Sequence, residues 1–441
     1  MNIEVTVPSP QTLLPWLLGG AIGLGGILQG LHWRSSAGAA DLAGLENQLR
    51  IAGEENEMLV RENESLRSLA QGGGELAVPQ EFIDRAEKES GLRFLSSPVM
   101  HRLAAEELRD RIGAAVESRF GPSGIDDRQE SYKLIGWLRP DDDLLAQLTA
   151  VSATGAHGWF DEVTGEGWVT DRFDLKNIPD QAALVRLLAR ILLHQHFPAA
   201  PAYPGDDAAR AREALHQGAA AASEARFYAA SALAIGFMPL KENTEAAQLL
   251  ASFSPFIQGL ATFPLAEGKG LADSLHVQGN DKFQAAFRTP PQTTRAIQFP
   301  GEPASEAKAL DLPATPEEPF LTETAGQLGL RLWLEPLGDD RAASEIASSW
   351  KNDRYLLFPD GKESSAVLWD IEMENTAAAD QLQSAALALV AAMAGQQEPA
   401  TLGQAIASPE KRHLRLTRPS PVRLRFLNTS EAATAAKLGG K

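Results

Sequence analysis

From Thr12 to Trp33 the chain reads TLLPWLLGGAIGLGGILQGLHW and carries no Asp, Glu, Lys or Arg. No other stretch constrains the fold as strongly. A bilayer core takes roughly 20 apolar residues as one helix, and only a helix satisfies its own backbone there. We read 12–33 as a single transmembrane helix, with Trp16 and Trp33 near its ends where interfacial aromatics sit. A cleaved signal peptide competes with this reading. Ala37 to Ala40 supplies small residues for cleavage, but residues 1–11 hold no Lys or Arg for an n-region. The Gly19/Gly23 and Gly26/Gly30 pairs permit close helix pairing, a weakly specific signal.

Behind the span, Leu42, Leu45, Leu49, Ala52, Asn56, Leu59, Asn63, Leu66 and Ala70 alternate spacings of three and four. That is a heptad seam, and Asn56 and Asn63 at its a positions suit a parallel homodimer, where two amides bond across the seam. The alternative is one amphipathic helix lying on the domain behind it. The expected layout is a short tail at 1–11, the span at 12–33, a coiled coil at 40–71 and a Gly-rich linker at 72–78. A mainly helical domain at 79–300 follows, then a Pro/Glu/Ala-rich linker at 301–319, a small α+β domain with an antiparallel sheet at 320–429, and a flexible tail at 430–441. The fold class is therefore α+β.

With 40 basic against 58 acidic residues the net charge is -18, which disfavours nucleic acid and anionic membrane surfaces as ligands. The chain contains no cysteine, so disulfides, thiolate metal sites and a cysteine nucleophile are excluded. No phosphate loop, Rossmann glycine pattern or G-x-S-x-G elbow occurs.

The stretch that bears on chemistry is Gln181 to Phe197, QAALVRLLARILLHQHF. Asp180 is the expected N-cap, and Leu184, Leu187, Leu188, Ile191 and Leu192 share one face. Arg186 and Arg190 lie on the other side, with Leu193 and Phe197, so that side is expected to be partly covered. His194 and His196 are two residues apart, which on a helix aims them roughly 200° apart. They can chelate one ion only if the helix has already ended, and a solvated pair at a helix C-terminus is the alternative.

This stretch resembles the signature helix of a family of bacterial zinc metallopeptidases, zincin-like proteins whose helix reads approximately HELTHALQDQHF. Gln195, His196 and Phe197 match its end without a gap. The resemblance then places the family's zinc histidines on Arg186 and Arg190, its catalytic glutamate on Leu187, and its glutamate ligand from the next helix on Gln217 of Gln217, Gly218, Ala219, Ala220. Further elements keep the family's order: Gly158, Trp159, Phe160 and Asp161; Pro290 to Pro300, where Arg295 and Phe299 replace a glutamate and a histidine; Leu328 to Leu334; and Trp350, Asp353, Arg354 and Tyr355. The resemblance implies a degenerate member. Arginine has no lone pair for a metal and leucine cannot act as a base.

The expectation is therefore a membrane-anchored, catalytically inactive metallopeptidase-like protein without cofactor, acting by binding a protein or peptide partner, with Arg186, Arg190, Gln217, Trp159, Phe160 and Arg295 as candidate binding residues. One alternative is an active zinc peptidase with relocated ligands His194, His196 and His216, helped by Glu213 or Glu224. Another is a coiled-coil scaffold whose old cleft is filled. The expected location is a bacterial inner membrane. Arg34 just after the span points the body to the cytoplasm, whereas the resemblance points to export.

Overall fold

The computed structural model describes residues 74–120, 124–153, 158–198, 203–235, 244–302 and 310–439. The expected membrane span and coiled coil lie outside these residues. Among the described residues no helix is long and apolar enough to cross a membrane. The described residues belong to one compact unit, Ser68–Lys441, of mixed α and β structure.

The chain enters through α1 (Gln80–Ser90), which buries Phe82 and Ala86 and ends at Gly91 in the left-handed region, φ 67°. Strand β1 (Met100–Leu103), α2 (Ala105–Phe120), α3 (Gly124–Ile135) and α4 (Leu144–Ala153) follow. The stretch around Trp159 and Trp168 forms a hairpin, β2 (Gly158–Asp161) and β3 (Glu166–Thr170). β3 pairs antiparallel with β2 and parallel with β1, so β2 is an edge.

Helix α5 (Ile178–His196) contains the stretch read above. Its N-cap is Asn177 rather than Asp180, and Asn177 makes no side-chain cap bond. Asp180 falls inside the first turn, where its Oδ2 accepts the Asp174 N–H at 2.9 Å. All five predicted apolar residues are buried. So are Ala182, Val185, Ala189 and Leu193, and the helix is covered around most of its circumference. It packs on the hairpin and on α6 (Asp206–Ile235).

Alanine-rich α6 owes its position to close approach. A Cβ on Gly218 would lie 2.1 Å from the Gly268 carbonyl carbon, and one on Gly268 would lie 2.2 Å from the Ala214 oxygen. Gly268 closes a π-helical turn, Pro264–Gly268, between α8 (Pro255–Phe263) and α9 (Lys269–Val277). Two helices follow one another here, α7 (Thr244–Ser252) and α8. Ser254 caps α8 by accepting the Ile257 N–H, and Pro255 starts it, a combination that forces a boundary. Helices α10 (Asn280–Arg288) and α11 (Thr294–Gln298) complete this half.

The C-terminal half is built on an antiparallel six-stranded sheet of order β4-β5-β6-β9-β8-β7. Its strands are β4 (Leu321–Glu323), β5 (Trp350–Pro359), β6 (Ser365–Met373), β7 (Ala405–Ala407), β8 (His413–Ser420) and β9 (Arg423–Thr429). Helices α12 (Gly326–Leu334), α13 (Asp340–Ser348) and α14 (Thr376–Met393) are interleaved with them. Glu323 ends β4. Residues 430–441, expected to fray, contain α15 (Ala432–Leu438), whose Ala435 and Leu438 are buried against the sheet.

Tyr355, Trp369, Phe426 and Leu416 stand opposite one another across four strands. Strand alternation puts that row on one face and Leu356, Leu368 and Leu427 on the other, under α15. The first face meets the helices of the N-terminal half. The Trp137 ring lies 5.4 Å from Trp369 and is stacked on Phe256 at 4.6 Å. Residues from Ile125 to Phe426 therefore share one hydrophobic cluster.

Candidate functional site

The β2–β3 turn is held by its first residue. Asp161, buried, accepts the Val163 N–H at 2.9 Å and Arg111 Nη2 at 2.9 Å, and its carbonyl accepts the Gly165 N–H at 2.8 Å. Gly165 takes φ 73°, a conformation open to glycine. The turn places Glu162 against α5, where Arg190 Nη2 donates to Glu162 Oε1. The Arg190 guanidinium also lies over the Phe160 ring, 5.1 Å from its centroid. Only 8% of Arg190 is exposed.

Charge then alternates outward. Arg119, on α2, reaches Glu162 Oε2 at 3.5 Å and Glu213 Oε2 at 3.1 Å. Glu213 Oε1 accepts Gln217 Nε2 at 2.6 Å. Burial works against the Glu162 charge, but Arg190 and Arg119 more than offset it and hold the carboxyl well below its ordinary range. Arg186 is separate from this chain of contacts, 3.6 Å from Glu224 on α6. Burial raises the Glu224 carboxyl despite that partner.

The histidines diverge. α5 continues through His196, whose Nε2 meets the Arg93 carbonyl oxygen at 2.7 Å. His194 faces the other way, edge-on to Phe160 at 5.5 Å. His216, on α6, sits edge-on to Phe287 at 5.0 Å. Burial, helped by the Arg190 charge, pushes the His216 imidazole down to about 3, and burial lowers His194 as well. Both are neutral at pH 7. Among the described residues no group of three or more His, Asp or Glu side chains is placed to hold a metal ion.

Of the predicted residues, the structure brings together Arg190, Phe160 and, through Glu213 and Arg119, Gln217. Trp159 instead lines a cavity of about 80 Å³ with Leu108, Arg109 and Ile112. Leu187 is a core residue, 2% exposed. Arg295 serves the other half of the molecule, donating to the Ser348 carbonyl, to Glu302 at 2.7 Å and to Glu374 at 2.8 Å. Sequence reading missed Glu162 and Arg119. Glu162 directly follows the Gly158–Asp161 element, a signal that was present; nothing local marks Arg119.

A second ionic cluster, also missed, lies where the two halves meet. Asp206, at the start of α6, accepts Arg128 Nε at 2.8 Å and the hydroxyls of Tyr132 at 2.7 Å, Tyr203 at 2.8 Å and Tyr355 at 3.1 Å. Arg128 also reaches Glu323, whose other oxygen accepts the Asp206 N–H. Arg210 Nη2 donates to Tyr132 at 2.7 Å. Burial opposes the Asp206 charge, yet Arg210, Arg128 and the hydroxyl donors hold its carboxyl low.

Beside it, Asp207 Oδ1 accepts both Thr294 Oγ1 at 2.6 Å and the Thr294 N–H at 3.0 Å. Burial pushes the Asp207 carboxyl up to about 7. Gly326, at φ 75°, passes so close that a Cβ there would sit 1.9 Å from Asp207 Oδ1. Asp353 accepts four N–H groups at 2.8 to 2.9 Å, from Ala325, Gly326, Trp350 and Trp369, fixing the start of α12 against β5 and β6. Three sequence elements singled out above thus converge here: Thr294, the start of LGLRLWL, and Trp350 with Asp353.

Residues 318–438, the sheet half, match the family described as Domain of unknown function (DUF8575). No curated protein and no solved structure matches the chain.

Proposed function

We propose that this chain is a membrane-anchored, catalytically inactive metallopeptidase-like protein that works by binding a protein or peptide partner. The observation that carries the reading is the Arg190 guanidinium. It occupies the α5 face where the resemblance puts a metal ligand, and it is tied there to Glu162. A cation on that face repels Zn²⁺, and the nearby imidazoles do not converge: His196 bonds the Arg93 carbonyl while His194 faces Phe160. The uncharged 12–33 stretch supports the anchor.

A second reading, a structural head with a filled cleft, is favoured by a different observation. The α5 face at this point is covered by side chains: Arg190 is 8% exposed and paired with Glu162, and Leu187 is 2% exposed. Both readings predict the same outcome when the full chain is incubated with casein and added zinc: no cleavage, with or without chelator. Chelator-sensitive cleavage that disappears in His216→Ala would instead establish a peptidase with relocated ligands.

A further inference from the structure

Arg190 has more donors than its partner uses. Its Nη2 is bonded to Glu162, but its Nη1 is buried and has no hydrogen-bond partner among the described residues. A buried donor left without an acceptor is costly, so the site is incomplete with Glu162 in it. Glu162, though closely bonded to Arg190 Nη2, is a partly solvent-exposed occupant. Its side chain is 36% exposed, its neighbour Val163 is 78% exposed, and its second oxygen is 3.5 Å from Arg119, at the long end of a hydrogen bond.

We propose that Arg190 and Arg119 form a carboxylate-binding site whose built-in occupant is Glu162, and that the ligand is a carboxylate of a bound peptide that displaces Glu162 from between the two guanidiniums. This names the ligand chemistry of the binding reading above and rests on it. The planar guanidinium fork of Arg190 is matched to a carboxylate, which can engage Nη1 and Nη2 together as Glu162 does not. Charge favours a singly charged group. One carboxylate leaves as another enters, so the balance with Arg119 and Glu213 is kept. A polyanion such as phosphate meets Glu213 nearby and a chain of net charge -18. Displacement needs only the Glu162 side chain to swing outward, because Asp161 holds the turn through its own bonds.

The test uses the full chain carrying Glu162→Gln, which empties the site of its own carboxylate. Sodium acetate should raise its melting temperature beyond sodium chloride at equal ionic strength. Acetate should also bind it about tenfold tighter than it binds the wild type, the worth of one charge-assisted hydrogen bond. Adding Arg190→Leu should abolish both effects. Equal effects of acetate and chloride would overturn the proposal, as would stronger stabilisation by inorganic phosphate. Two short peptides separate the sources of the group, one with a free C-terminus and no other acid, the other amidated with a single internal Asp. The one that displaces acetate at lower concentration identifies the source, and failure of both to displace it overturns the proposal. Should Glu162→Gln not fold, the same peptides are titrated calorimetrically into wild type, where binding must be lost when the carboxylate is removed and in Arg190→Leu. An inactive, zinc-free chain that ignores acetate loses the carboxylate site alone; a chain that cleaves casein loses the non-catalytic reading.

Discussion

The two ionic clusters use the same residue types to opposite ends. Around Asp206 the partners Arg128, Tyr132 and Tyr355 are buried, the hydroxyl of the more exposed Tyr203 adds a third tyrosine donor, and the participants come from α3, α6, β4, β5 and the segment just before α6. Around Glu162 the carboxylate rides on an exposed turn, its partners come from α2 and α5, and one guanidinium nitrogen is left over. A buried ion pair with all its donors and acceptors matched fixes one arrangement of the elements that supply it, because any other leaves a charge unpaired. A half-open pair with a surplus donor leaves room for exchange. The first cluster pins the two halves together, and the second is the site for which binding is proposed above.

The largest test of that contrast is Asp206→Ala, which strands Arg128 and Arg210 in the interior. It should cost about 3–5 kcal/mol, measured by denaturant unfolding of the full chain; a loss below about 1 kcal/mol would mean that the cluster pins nothing. Next comes pH. Asp207 holds its proton in the folded state up to about 7, while the unfolded chain releases it near 4. The folded state therefore binds more protons between those values, and the stability Asp207 contributes falls as pH rises through that window, by on the order of 2–4 kcal/mol. His216 works in the opposite sense. It stays neutral when folded down to about 3, so acidification below about 6.5 favours the unfolded chain. Comparing melting temperatures of wild type and Asp207→Asn from pH 4 to pH 7 isolates the first effect: the variant should lose less stability as pH rises, and parallel curves would contradict it.

Smaller changes belong to the open cluster. Glu162→Gln should cost about 1 kcal/mol or less, since more than a third of the Glu162 side chain is exposed and solvent screens the pair, and that cost should shrink with added salt. A cost as large as that of Asp206→Ala would erase the distinction between the clusters. Arg186→Ala is expected to change stability by no more than about 0.5 kcal/mol, because Arg186 is 36% exposed and its partner is 3.6 Å away.

Much of the element order was legible because it rests on periodicity. The run of Leu184, Leu187, Leu188, Ile191 and Leu192 announces α5, and the aromatic alternation around Trp159 and Trp168 announces the hairpin. What escaped was decided by contacts distant in sequence. α15 is short and alanine-rich and gives no strong local signal. It forms because Ala435 and Leu438 are buried on the sheet while Arg415 donates to the Ala435 carbonyl at 2.7 Å and Arg425 to that of Leu438 at 3.1 Å. β4 is three residues long and exists through its pairing with β5. In the site, Arg190 could be picked out because the resemblance puts a metal ligand at its position. Its partner Glu162 lies 28 positions away on another element, and only the fold brings them together. The sequence elements around Thr294, Leu328 and Asp353 stood out only as parts of a resemblance, and the structure shows that they hold a seam together.

The central claim is that a guanidinium occupies the α5 face in place of a metal. Elemental analysis of the purified full chain, dialysed against buffer containing zinc and then against buffer without it, tests this most directly. With the Arg190 cation on that face the chain should retain no more zinc than a protein without a metal site. Retention of about one zinc per chain, lost in His194→Ala or His216→Ala, would contradict it.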